Sequence, residues 1–86
     1  MFIIKVKATA TEQNKNFKGE VQTSYYGKQE KLLSDGELPA KYWVKNYGFK
    51  TKAAACRALK SLKETHDWFE KYGTWTHEHS IVEILC

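Results

Sequence analysis

Residues 2–9 set the strongest constraint on the fold. Phe2, Ile4, Val6 and Ala8 alternate with Ile3, Lys5, Lys7 and Thr9, a period of two that a pleated strand turns into one apolar and one wetted face. The first set is expected to point inward and the lysines outward. A turn-rich stretch, TEQNKNFKG (residues 11–19), follows. Val21, Thr23 and Tyr25 then alternate with Gln22, Ser24 and Tyr26, which predicts a second strand antiparallel to the first. SDGELP, residues 34–39, breaks the pattern, because Asp-Gly and Pro39 supply the backbone angles that turns need.

At Thr51 the period changes. Thr51 is a good helix cap, Ala53, Ala54 and Ala55 have high helix propensity, and Ala55, Leu59, Leu62, His66 and Phe69 recur at helical spacing. That stripe is expected to lie on the sheet, with the helix ending past Lys71 as Gly73 is reached. From Trp75 to Leu85 the alternation returns and becomes apolar at SIVEIL, residues 80–85, which predicts a last strand close to the first. Residues 39–47 fit two structures. Their rings and Val44 alternate as in a strand, while Pro39 and Gly48 would bracket a short helix. The alternation favours the strand. Tyr42, Trp43, Tyr47 and Phe49 cannot all be buried in a domain of 86 residues, which has room inside for about two such rings.

The expected class is therefore α+β: a single domain over residues 1–86, with a small antiparallel sheet of three to four strands packed against one main helix, in the order β-β-(β)-α-β. A composition of 42% hydrophobic and 14% aromatic residues belongs to a folded globule and not to a disordered tail. No run approaches the ~20 apolar residues needed to span a bilayer, and MFIIKVKA lacks the basic start and long apolar middle of a secretion signal. Cys56 and Cys86 are too few for a disulfide framework and form no Cys-x-x-Cys pair. A reduced, cytoplasmic setting is expected, with a Cys56–Cys86 bridge as the alternative.

The net charge of +4 is unevenly spread: residues 1–63 hold thirteen Lys or Arg against five Asp or Glu, and residues 64–86 hold one against five. Lys41, Lys45, Lys50, Lys52, Arg57, Lys60 and Lys63 fall in a stretch without a carboxylate. Such a stretch attracts polyanions or acidic protein surfaces; solubility, with i to i+4 pairs such as Lys60–Glu64, Lys63–Asp67 and Asp67–Lys71, is the plainer explanation. The main helix is basic first and acidic second, the reverse of what its dipole prefers. Its free N–H groups with Lys50, Lys52 and Arg57 suggest a phosphate-sized anion site.

GFKTKAAACRAL, residues 48–59, resembles the strand-to-helix junction Gly-aromatic-x-Thr-x-x-x-Ala of small three-stranded DNA-binding domains such as the arm-binding domains of tyrosine recombinases, and is similar to junctions in short phage and mobile-element proteins. In those recombinase domains the open sheet face reads DNA. The resemblance would thus implicate Lys5, Lys7 and the outward residues around Trp43, Lys45 and Tyr47. This chain departs from the family by adding a strand after the helix.

His77 and His79 fall on the same side of a strand about 7 Å apart, which permits a shared metal without requiring one. They are read as flanking Trp75 on a half-exposed edge, with no metal or other cofactor. No Gly-rich phosphate loop, nucleophile elbow or paired acids appear, so neither catalytic residues nor a small-molecule substrate are expected. Cys56 is read as a small packing residue.

Two functions follow. The first is a non-enzymatic nucleic-acid-binding accessory or regulatory protein, which uses Lys41, Trp43, Lys45, Tyr47, Lys50, Lys52, Arg57, Lys60 and Lys63 on DNA or RNA. The alternative is a phage or mobile-element inhibitor of a host defence or processing enzyme, an anti-CRISPR-like module that binds a host protein or ribonucleoprotein through exposed rings. Self-association through exposed strand edges at SIVEIL and in the second strand is a third possibility.

Overall fold

A computed structural model describes residues 1–28, 32–33 and 40–85. It contains β1 (Phe2–Ala10), β2 (Val21–Tyr26), β3 (Leu32–Leu33), α1 (Lys41–Tyr47), α2 (Lys52–Glu70) and β4 (Trp75–Glu83). The sheet is antiparallel, in the order β3-β2-β1-β4. β1 is central: Ile4 lies opposite Tyr26 on one side and Ile81 on the other, and Val6 lies between Ser24 and His79. The α+β class, the antiparallel β1–β2 pair and the return of the last strand to the first all agree with the alternation. The break at 34–39 and the partner offered for Cys56, Cys86, lie outside the described residues.

Neighbours on a strand point to opposite faces, and β1 uses both. Ile4 and Val6 join Phe49 and Ala55 in a core under α2, with Phe2, Tyr26, Leu59, Leu62 and Ile81 packed around it. Ile3, expected on the wetted face, is fully buried. It packs with Tyr25 and Val44, flanked by Trp43 and Val82. The two helices therefore cover opposite faces of the sheet, α2 most of one and α1 one end of the other.

Residues 41–47 form a helix, which corrects the expected strand. The helical register places Val44 downward on Ile3 and Tyr25. It also sorts the remaining side chains by i, i+4 neighbours: Trp43 and Tyr47 meet at 5.5 Å between ring centroids, while Lys41 and Lys45 fall on the other flank. A strand would have mixed them. Gly48 N–H closes the helix on the Val44 carbonyl at 2.7 Å. Gly27 lies against the Tyr47 carbonyl, where any Cβ would collide with backbone, so the end of β2 and the end of α1 touch only because Gly27 has no side chain. Phe49 then makes a single antiparallel bridge with Phe2. In residues 48–59, which resemble a strand-to-helix junction, the single bridge at Phe49 stands where a strand was expected, and α2 follows from Lys52.

α2 begins as expected, with Thr51 accepting from the Ala54 N–H at 3.2 Å. It stops at Glu70, and Gly73, at φ 74°, turns the chain toward β4 with its N–H on the Glu70 carbonyl. The 11–19 loop is tied to this turn. The Thr11 hydroxyl donates to the Gly73 carbonyl, buried Asn14 donates to the Thr74 carbonyl and accepts from the Phe17 N–H, and Phe17 packs on Trp75. No helix of the described residues is long and apolar enough to cross a membrane.

Candidate functional site

All seven cations from Lys41 to Lys63 are exposed. None of them closes an ion pair with a carboxylate among the described residues, where the single such contact is His77 with Glu70. The i to i+4 pairs Lys60–Glu64, Lys63–Asp67 and Asp67–Lys71 stay apart. The fold nevertheless divides the set. Lys41 and Lys45 belong to α1 on one sheet face, the face that also carries Lys5 and Lys7 on β1. Lys50, Lys52, Arg57, Lys60 and Lys63 run along the start and first three turns of α2 on the opposite face. On that helix Lys52 and Lys63 lie toward β4, Arg57 faces outward, and Lys60 lies between the two.

The rings expected beside these cations are less available. Phe49 is core, Trp43 and Tyr47 are half-buried against each other, and Tyr42 alone stands clear, 71% exposed. The largest exposed aromatic group lies elsewhere. Trp68 meets Phe69 at 5.2 Å and Tyr72 at 5.6 Å between centroids, with Trp68 53% and Tyr72 63% exposed. This ridge sits beside Glu64 and Asp67, in the acidic half of α2. A groove of about 540 Å³ runs from it along the β2 side of the helix, lined by Tyr26, Phe49, Ala58, Leu62, His66 and Phe69 among others.

Beneath the same half of α2 lies a histidine cluster that strand-by-strand reading missed. His77 and His79 point toward α2 and not merely along a half-exposed edge by Trp75, and the inward stripe of α2 delivers buried His66 onto them. His66 Nδ1 is 2.6 Å from His79 Nε2, and the His66 and His77 rings stack at 4.2 Å with planes 11° apart. Ala8, opposite His77, leaves room for the stack. Glu70 Oε1 accepts from the His77 backbone N–H at 2.6 Å and from its ring Nδ1 at 3.2 Å. Burial, then the neighbouring His77 and His79, lower the His66 pKa to about 4. Burial, then His77 and Lys63, also lower that of His79. The signal for this cluster was in the sequence: a histidine in the apolar stripe of the helix and two on one face of the next strand.

Stacked rings and a direct nitrogen–nitrogen hydrogen bond do not converge on one point, and among the described residues no group of three His, Cys, Asp or Glu is placed to hold a metal ion. Cys56 is exposed on α2, not the packing residue expected. Burial raises the pKa of the Tyr26 phenol, at the groove wall. Compared with protein-family models, with curated proteins and with solved structures, the chain finds no match.

Proposed function

We propose that this is a small non-catalytic nucleic-acid-binding protein of accessory or regulatory kind, which holds phosphates on the outer face of the N-terminal half of α2. The observation that carries the reading is the row of exposed cations, Lys50, Lys52, Arg57, Lys60 and Lys63, which pair with no carboxylate among the described residues. Arg57 and Lys60, and Lys60 and Lys63, are helical neighbours of like charge, each pair costing a few tenths of a kcal/mol. Lys52, in the first turn and at the positive end of the helix dipole, adds a similar cost. A polyanion would reverse both terms, which solubility alone does not require. Because Trp43 and Tyr47 are partly buried, base stacking falls to Tyr42, and affinity comes from phosphate contact without sequence readout. Lys5, Lys7, Lys41 and Lys45 on the other face would form a separate, weaker contact.

Fluorescence anisotropy with short single- and double-stranded DNA and RNA at about 50 mM salt tests the reading. Saturable binding to duplex in the micromolar range is the expected result; flat curves to tens of micromolar would remove it. The Trp68–Phe69–Tyr72 ridge favours a second reading, a phage-type inhibitor that anchors these rings on a host protein. Under that reading, a defined protein captured from nuclease-treated lysate is lost with Trp68→Ala and Tyr72→Ala and kept when Arg57 and Lys60 are neutralised.

A further inference from the structure

β4 is a nine-residue strand that, among the described residues, pairs with β1 alone and forms an edge of the sheet. The Ile84 N–H bonds the Met1 carbonyl and the Thr11 N–H bonds the Thr74 carbonyl. The alternation of an antiparallel ladder then turns the main-chain groups of Trp75, His77, His79, Ile81 and Glu83 away from β1. Glu70 covers one of them, the His77 N–H, at 2.6 Å. Beyond it, His79, Ile81 and Glu83 face no strand among the described residues. An open edge of this kind is a template for another strand.

We propose that the occupant is a second copy of this chain, with the two β4 strands pairing antiparallel about a two-fold axis at Ile81. Three features of the molecule fit that partner. First, this register uses only the stretch that Glu70 leaves open: Ile81 meets its copy, and His79 lies opposite Glu83, with about six inter-chain main-chain hydrogen bonds. Second, α2 packs over β1 and β4, touching Ile4, Val6 and Ile81. With strands about 4.8 Å apart, the two α2 helices would lie about 10 Å from each other, near the spacing of packed helices.

The third feature is charge. The flank of α2 above β4 carries Lys52 at its start, Lys63 just past its middle, and Asp67 and Glu70 toward its end. Glu70 reaches the His77 N–H from that flank, and the charges of Lys63 and Asp67 act on His79. The two-fold axis sets the helices antiparallel, so the basic end of each lies beside the acidic end of the other. A gradient that opposes the helix dipole within one chain is thereby complementary between two. Arg57 stays outward in both copies, whereas Lys52 and Lys63, which the phosphate-binding reading also uses, lie along this seam, so the association is measured without nucleic acid.

Light scattering after size exclusion, on the purified chain without nucleic acid from about 5 to about 300 µM, reads the association directly. A rise toward twice the 10.0 kDa chain mass is expected. A monomer throughout overturns the proposal, and would be the outcome if the edge instead takes a strand from another protein. Glu83→Pro removes an outward N–H and no bond to β1, so it should weaken dimerisation at least about tenfold and leave the circular dichroism of the monomer unchanged. A folded Glu83→Pro chain that dimerises like the parent contradicts the assignment of β4. Lys52→Glu and Asp67→Lys decide the matter if that variant misfolds, since both move charge in the direction the helix dipole favours. Each alone should weaken the dimer several-fold, and the two together should restore it. These positions are about 22 Å apart along one helix, so restoration requires contact between chains, whereas additive or absent effects contradict it.

Discussion

From Lys52 to Lys63, α2 rests on Ile4, Val6 and Ile81 and lifts into solvent cations that pair with no carboxylate among the described residues. From Glu64 to Glu70 the same helix rests on a histidine cluster and lifts Trp68 and Phe69 into solvent. One half has an apolar underside and a charged top; the other has a polar underside and an aromatic top. Ordinary amphipathicity accounts for both surfaces of the first half and for neither surface of the second. The difference teaches where to look for function. In the N-terminal half stability comes from below, and the top is free for a partner. In the C-terminal half the underside itself responds to pH.

The comparison breaks most readily on binding. Replacing Lys50, Arg57 and Lys60 with Gln should lower affinity for duplex DNA about 10³-fold at low salt if each touches a phosphate, with the melting temperature unchanged. Trp68→Ala and Tyr72→Ala should leave that affinity within about threefold, since neither ring adds a phosphate contact. Equal losses from the two sets would erase the division of labour.

Stability gives the next largest effects. Ile4→Ala, at a position 1% exposed, should cost about 3 kcal/mol in denaturant unfolding, and the same amount at pH 7 and pH 5. The histidine cluster should behave differently. His66 ordinarily titrates near 6.5 and in the fold near 4, so between these values the unfolded chain binds more protons. Its contribution is complete above about pH 6.5 and is lost as pH falls through about 4, a change of about 1–3 kcal/mol. His77, Glu70, Asp67 and Lys63 surround the pair, and the two carboxylates act to raise the pKa values of both rings. His66→Leu should flatten this part of the pH profile; an unchanged profile would place the sensitivity elsewhere. The smallest expected change is Trp68→Ala on stability, within about 0.5 kcal/mol, as for an exposed surface side chain.

Elements with one strong period were legible from the sequence. β1, β2, β4 and α2 each repeat at 2 or 3.6, and burial follows except where α1 covers Ile3 and where Val21 and Phe69 stay half exposed. α1 was not, because its rings also alternate; the deciding spacing was the four residues separating Lys41 from Lys45 and Trp43 from Tyr47. Exposure of the cations was legible, since a carboxylate-free stretch offers nothing nearby to pair with. Their division between two faces was not. It depends on the Phe2–Phe49 bridge, which carries the chain from α1 past the end of β2 to the opposite side of the sheet. The histidine cluster needed the return of β4 under α2, joining residues 13 apart across a turn. The aromatic ridge was hidden because Phe69 fits the inward stripe, yet half of it is exposed where the helix outruns the core.

The salt dependence of duplex binding tests the N-terminal half of α2 most directly. With five cations on phosphates, the plot of log affinity against log salt should slope at about −4 to −5, and neutralising Lys50, Arg57 and Lys60 should flatten it by about 3. A slope near zero, or one that those three substitutions leave unchanged, would contradict the assignment of this face.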